Sequence, residues 1–288
     1  MQLMISPINN KKYRHYYSLL EQVCDDSLFL YRNQKLFSWF SSYVKIRVFL
    51  RNKTIKNIYI SNINDELIHM IVDLFNDASV YTFDDGTANI LKTSSFYYRD
   101  VRFISYMLRR ILGIKTTMHT IRNKSKLHYT IYPNISNIID RTFPIKLFNE
   151  IEVKKKSILI DRKALRIFLG QPFYCSDKKN LDLISKLVKD LNIDFYVPHP
   201  RENYFIKDIK YIDSELIFED IFERYFLGQQ CIIYTFFSSA ILSLLEVKNV
   251  SLVSIKPIDV HETIIESKAL SECYGLFKKL GVDIVKAY

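Results

Sequence analysis

The sequence predicts an α/β protein with two parallel sheets, one in each half of the chain. Three observations carry that prediction. Short runs rich in β-branched and aromatic residues alternate with amphipathic helical stretches along the chain, as in strand–helix–strand units. The alternation lapses once, from Asn134 to Lys156, and then resumes. Several strands run straight into small, acidic, prolyl or hydroxyl residues, and open parallel sheets bind ligands at the carboxyl ends of their strands.

In the first half, Leu3 to Ile8 reads as a strand. Lys11 to Val23 reads as a helix, with Tyr13, Tyr17, Leu20 and Val23 at helical spacing. Ser27 to Tyr31 is a short strand, and Leu36 to Leu50 a basic, aromatic helix with the chain's one tryptophan, Trp39. Ile55 to Ile60 is a strand, and Asn64 or Asp65 caps a helix that runs to Phe75. Val80 to Phe83 is the next strand, Arg102 to Leu112 a basic helix, and His128 to Tyr132 a further strand. The lysine run at 154–156 closes the weak stretch and marks a domain boundary there.

The second half is cleaner. Arg166 to Leu169 is a strand, and Ser176 or Asp177 caps a helix that reaches about Leu191. A strand through Phe195 follows, then an extended stretch from Tyr204 to Ile212 and a helix from Glu215 to Phe226. Cys231 to Phe236 is a strand leading through Ser238-Ser239 into a helix. Val250 to Ile255 is a strand, and Glu262 to Leu280 a closing helix.

Composition narrows the class. Six glycines and seven prolines in 288 residues leave no flexible linker or low-complexity tract. Lysine and arginine number 41 against 31 acidic residues, a net charge of +10. That surplus suits an anionic partner: nucleic acid, an anionic membrane surface or a phosphorylated substrate. Cys24, Cys175, Cys231 and Cys273 lack metal-ligand spacing, so reduced thiols are expected rather than zinc or disulfides. No run of 18 apolar residues crosses the chain, so no membrane-spanning helix is expected.

Three short motifs sit at strand ends. Asp84-Asp85-Gly86 reads either as an Asp-Gly turn or as a carboxylate at a sheet edge, ready to act as general base or to clamp an acceptor. His199 stands between Pro198 and Pro200, whose rings fix their own backbone, with the planar donor fork of Arg201 two residues on. That stretch is either a tight turn with a solvated histidine or a site facing substrate. Ser238-Ser239, between a strand and a helix, caps the helix; the same geometry receives phosphate on backbone N–H groups.

Taken in this order, the three motifs resemble those of the bacterial sialyltransferases of the GT-B type, D/E-D/E-G, HP and S/T-S/T. Within that group the chain is most similar to glycosyltransferase family 52, the lipooligosaccharide sialyltransferases. Further marks are the stretch from Asn9 to Tyr17, Arg166 to Pro172, and Leu216-Ile217-Phe218-Glu219-Asp220. The resemblance implies two Rossmann-like domains facing across a cleft, residues 1–155 on the acceptor side and 156–288 binding CMP-sialic acid. Family members carry a further strand and helix ahead of the stretch that begins here at Met1. The resemblance therefore implies a first domain lacking that unit, with an exposed edge at which a homodimer can form.

The implied activity is inverting, metal-independent transfer of sialic acid from CMP-sialic acid to a terminal galactose of a lipooligosaccharide or capsule-type glycan, with no cofactor. His199 serves the departing phosphate, as electrostatic stabiliser and as acid. The base is Asp85 or Asp177. Gly170, Gln171, Pro172, Pro200, Glu219, Ser238 and Ser239 bind the donor; Glu219 faces ribose hydroxyls, and Asp84 and Gly86 lie on the acceptor side. The remaining histidines read as structural or solvated. The expected setting is the inner face of the cytoplasmic membrane, its anionic lipids met by the basic, aromatic stretches Leu36 to Lys53 and Arg102 to Lys115. Two other readings stay open: an inactive, truncated relative that still binds CMP, and a basic nucleic-acid-binding α/β protein. Against nucleic acid as a partner, the basic residues are spread through the chain and no binding signature is present.

Overall fold

The structure is a computed structural model and describes all residues except 34, 98–106, 108, 149–163, 172–177, 203, 258–267 and 288. The chain divides into two compact units, Met1–Ile145 and Lys146–Tyr288. The expected boundary at Lys156 lies outside the described residues.

In the first unit, β1 (Gln2–Ser6), α1 (Lys11–Glu21), β2 (Ser27–Tyr31) and α2 (Leu36–Phe49) come first. They are followed by β3 (Asn57–Ile60), α3 (Glu66–Leu74), β4 (Ser79–Phe83), α4 (Met118–Lys124), β5 (Ser125–Thr130) and β6 (Thr142–Pro144). All pairings are parallel, as the alternation requires, but they form two sheets rather than one. β1 pairs with β2, and separately the order is β3-β4-β5-β6. Among the described residues, β1 has no strand partner except β2.

Asp65 caps α3 as expected, accepting from the Leu67 N–H at 2.8 Å. The same carboxylate takes a two-pronged ion pair from Arg32 at 3.2 and 2.7 Å, tying the end of β2 to the start of α3. One core packs Leu30, Tyr43, Ile46, Leu50, Leu67 and Met70. A second gathers Ile60, Ile63, Val72, Val80, Met118 and Ile121 on the other side of α3. Fully burying one such side chain contributes about 1.5–3 kcal/mol.

The second unit is one five-stranded parallel sheet. Its elements are β7 (Leu165–Leu169), α5 (Lys178–Asp190), β8 (Phe195–Val197), α6 (Phe218–Tyr225), β9 (Cys231–Thr235), β10 (Val250–Pro257), α7 (Lys268–Lys279) and β11 (Asp283–Ala287). The spatial order is β11-β10-β9-β7-β8. β7 is a central strand covered on both faces, so Ile167, Phe168 and Leu169 are buried in succession. Ile184 and Val188, one turn apart on α5, pack with Phe168, Tyr196 and Phe236.

Two expectations change. Residues 204–212 form no strand, only an isolated parallel bridge between Tyr196 and Tyr211. The element after Ser238 is a six-residue 3₁₀ helix, Ser239–Leu244, not an α-helix. Two short strands, β6 and β11, and the seven-residue helix α4 lie where the pattern is too brief to read. The expected helix from Arg102 to Leu112 falls mostly outside the described residues, though Arg109 to Ile111 are helical.

Candidate active site

Strand order decides where the second unit can hold a ligand. From β7 the chain steps to β8 on one side, then returns past β7 to β9 and continues the other way. Between β7 and β9 the winding reverses. Beyond the carboxyl ends of such a pair, the departing connections diverge and leave a crevice. Gly170-Gln171 follows β7, Phe237-Ser238-Ser239 follows β9, and Pro198-His199-Pro200 follows β8 next to β7. Three of the sequence-predicted segments therefore share one end of one sheet.

Gln171 joins them. It is buried, its main-chain carbonyl accepts from the Tyr204 hydroxyl at 2.7 Å, and its side-chain Oε1 accepts from the Phe237 N–H at 3.0 Å. Gly170 donates its N–H to the Val197 carbonyl at 2.8 Å, stitching the end of β7 to the start of the histidine turn. Thr235 completes the lattice: its hydroxyl donates to the Leu169 carbonyl and accepts from the Ser238 N–H, both at 3.2 Å.

The histidine turn is built from within. Glu202 donates its N–H to the His199 carbonyl at 2.9 Å, and Arg201 donates its N–H to His199 Nδ1 at 3.0 Å. With Nδ1 accepting, a neutral His199 carries its proton on Nε2, which makes Nε2 the donor nitrogen. The half-buried His199 thus has a fixed tautomer, while the Arg201 side chain is exposed.

Glu202, absent from the sequence-predicted site, supports this turn from behind. Its Oε2 accepts from the Tyr196 hydroxyl at 3.0 Å and from the His199 N–H at 3.3 Å. Its Oε1 is buried without a hydrogen-bond partner among the described residues. Burial disfavours the charge and pushes the Glu202 carboxyl up to about 7, against the opposing hydrogen bonds of the His199 and Gln171 main chain and the Tyr196 and Tyr204 hydroxyls. Burial also drives the Tyr196 and Tyr204 phenols well above their ordinary value, so both remain protonated donors. Tyr196 stacks on Phe168, ring centroids 5.5 Å apart and nearly parallel. A side chain on Gly170 would enter the space that Glu202 and Tyr196 fill.

Ser238 is buried and Ser239 half-buried. A six-residue 3₁₀ helix has too few aligned peptide units to give the expected dipole at its start. Glu219, in the first turn of α6, has its carboxyl raised chiefly by burial and next by the Asp220 charge. Hydrogen bonds from its own N–H and from Ser243 oppose the rise, and the latter links α6 to the 3₁₀ helix. Pro200 is exposed at the turn. Pro172 and Asp177 lie outside the described residues.

The acidic motif of the first unit divides into two roles. Asp84 Oδ1 accepts from His128 Nε2 at 3.0 Å and from Asn89 Nδ2 at 2.6 Å, and Oδ2 from the Ile131 N–H at 2.7 Å. His128 is fully buried, with Nδ1 held 2.9 Å from the Thr82 hydroxyl. Asp84 therefore fastens the end of β4 to β5. Asp85 is exposed beside it, and Gly86 turns the chain with φ +56°, a conformation glycine adopts at little cost.

Among the described residues, no three histidine, cysteine, aspartate or glutamate side chains gather as a metal-ligand set. Nor does any described helix have the length and apolarity to cross a membrane.

Compared with known proteins, residues 1–259 match the family described as Glycosyltransferase family 52. A "CMP-N-acetylneuraminate:beta-galactoside alpha-2,3-sialyltransferase" of Pasteurella multocida (strain Pm70) is 33% identical, over 98% of this chain and 89% of the relative. An "N-acetyllactosaminide alpha-2,3-sialyltransferase" of Haemophilus influenzae (strain ATCC 51907 / DSM 11121 / KW20 / Rd) is 31% identical over 99% of this chain and 90% of its own length. A protein of the same description from Neisseria meningitidis serogroup A / serotype 4A (strain DSM 15465 / Z2491) is 28% identical over 98% of this chain and 77% of its own.

Proposed function

The chain belongs to glycosyltransferase family 52, and from that premise we propose that it transfers sialic acid from CMP-sialic acid to a terminal galactose, in α-2,3 linkage, with inversion and without a metal. The linkage is carried over from the relatives' names. The reading includes a GT-B arrangement of the two units and a galactose-terminated lipooligosaccharide or capsule-type acceptor at the inner face of the cytoplasmic membrane. The observation that carries it is the meeting of Gly170-Gln171, His199 and Ser238 at the carboxyl end of β7, β8 and β9.

The chemistry follows from the bonds that change. The galactose hydroxyl oxygen attacks the anomeric carbon of sialic acid, and the bond from that carbon to the phosphate oxygen breaks. Charge grows on the leaving phosphate, where the Nε2–H of neutral His199 stabilises it as a hydrogen-bond donor; the imidazolium, in which Nδ1 is protonated and gives up the Arg201 N–H, delivers its Nε2 proton to the same oxygen and returns to the neutral ring. The Ser238 and Ser239 hydroxyls and the Ser239 N–H hold the same phosphate, and Glu219 accepts from the ribose. Asp177 or Asp85 takes the proton of the attacking hydroxyl.

The test is incubation with CMP-sialic acid and a galactose-terminated acceptor, with and without a chelator. Sialylated product of inverted configuration and free CMP are expected in both. CMP should raise the thermal midpoint. A midpoint indifferent to CMP but raised by another nucleotide would sink the cytidine assignment.

A further inference from the structure

His199 is held at three points by the residues that follow it. Its ring Nδ1 accepts the Arg201 N–H at 3.0 Å, its carbonyl accepts the Glu202 N–H at 2.9 Å, and its own N–H donates to Glu202 Oε2 at 3.3 Å. The carbonyl contact closes a turn, and the carboxylate reaches back to the N–H at the start of that turn, as a glutamate does in a capping box. Both main-chain polar groups of the histidine therefore engage one residue, three positions on.

Such a turn keeps its own shape but has no fixed tilt against the sheet it leaves. The carboxylate supplies that reference. Oε2 also accepts from the Tyr196 hydroxyl at 3.0 Å. Tyr196 is fully buried on β8, its ring stacked on Phe168 of β7 and its hydroxyl 3.3 Å from that of Tyr204. The absence of a side chain at Gly170 leaves room for the same oxygen beyond the end of β7. One oxygen atom thus connects a rigid ring in the sheet with the main chain of the histidine.

We propose that Glu202 is a positioning residue for His199: its carboxyl carries the register of β8 to the imidazole, keeping Nδ1 on the Arg201 N–H and the proton on Nε2. The inference rests on the reading that His199 serves the departing phosphate, and adds to it what aims the histidine. Misplacing a catalytic group by about 1 Å can cost on the order of 10²-fold in rate.

The experiment reads the ring and the rates separately, in the full chain. Nitrogen NMR of the imidazole above about pH 7.5, where the ring is neutral, should place the proton of the parent wholly on Nε2. In Glu202→Ala the proton should be shared between the two nitrogens. Tyr196→Phe keeps the ring stack but removes the hydroxyl that holds Oε2, and should shift the populations in the same direction. Glu202→Ala should also lower kcat for transfer and for CMP-sialic acid hydrolysis by about tenfold to a hundredfold, with the KM for CMP-sialic acid changed far less. Glu202→Gln, which keeps a carbonyl oxygen in place, should restore most of that loss. In a His199→Ala background, Glu202→Ala should leave hydrolysis within about twofold, because groups that act as a unit are not additive. An unchanged single tautomer in both Glu202→Ala and Tyr196→Phe would overturn the proposal, as would an equal loss of rate with and without His199. If His199→Ala spares both reactions, the reading of the site falls, and the tautomer populations alone then decide whether Glu202 positions the ring.

Discussion

A Cβ placed on Gly170 would stand 2.1 Å from Oε2 of Glu202, and 2.7 Å from the Tyr196 hydroxyl that donates to the same oxygen. The glycine after β7 and the carboxylate after β8 are one packed pair. A side chain added at the glycine must displace the carboxylate, and the histidine turn lies between them in sequence.

Gly170→Ala should therefore destabilise the second unit by about 1–3 kcal/mol, the usual cost of overpacking. Glu202→Ala removes the nearer obstacle, so the glycine change should cost less in that background. Urea unfolding of the four proteins of the cycle reads the coupling, expected at about 0.5–3 kcal/mol. Simple additivity would mean that Glu202 swings away freely.

The Glu202 carboxyl gives a signature in pH. It keeps its proton to about 7 when folded, against an ordinary value of 4.5. Between those values the folded chain binds more protons than the unfolded, so stability falls as pH rises. The groups around the carboxyl are the Tyr196, Tyr204 and Tyr211 phenols and the His199 turn; both Tyr196 and Tyr204 stay neutral across this window. Glu202→Gln copies the neutral form. The variant's melting point should gain on the parent from pH 4.5 to 7 and hold a constant lead above. Parallel curves would show that the carboxyl ionises normally.

The adjacent aspartates should separate cleanly. Asp84→Ala strands the Ile131 N–H and the buried His128, at about 1–3 kcal/mol for each buried donor left unsatisfied. Asp85→Asn, on an exposed side chain, should stay within about 0.5 kcal/mol of the parent. Melting curves of both variants check the division.

His199 and the base are told apart by two reactions. His199→Ala should depress transfer to galactose and also slow hydrolysis of CMP-sialic acid by water, because both break the same bond. Asn in place of the base should cut transfer by about 10²-fold or more and leave hydrolysis near the parent rate. Asp177→Asn is expected to show that selective loss, with Asp85→Asn affecting acceptor binding. If His199→Ala spares both reactions, the histidine is only part of a turn.

Which parts of this were legible in the sequence follows from how far each signal reaches along the chain. β7 and β9 announce themselves because a central parallel strand is a continuous apolar run, as in Ile167-Phe168-Leu169. The strand-end motifs were legible because proline, glycine and paired serines interrupt such runs. β6 has three residues and α4 buries only Met118 and Ile121, too little for any period to show. Glu202 was hidden for another reason. Its role comes from tyrosines two and six residues away and from the glycine just after β7, and its one local mark is the three-residue spacing from His199. The reversal of winding at β7 and β9 is likewise a property of the sheet, invisible in a list of strands.

Gln171 spends its two carbonyl oxygens on different loops, the main-chain one on Tyr204 and the side-chain one on Phe237. Opening either loop breaks a bond that also holds the other's neighbour. The Phe237 and Ser238 amides after β9, and the Gly170 amide bonded to Val197, should then exchange with deuterium as one cooperative group. A ligand that engages only one of the three segments would slow exchange in all of them.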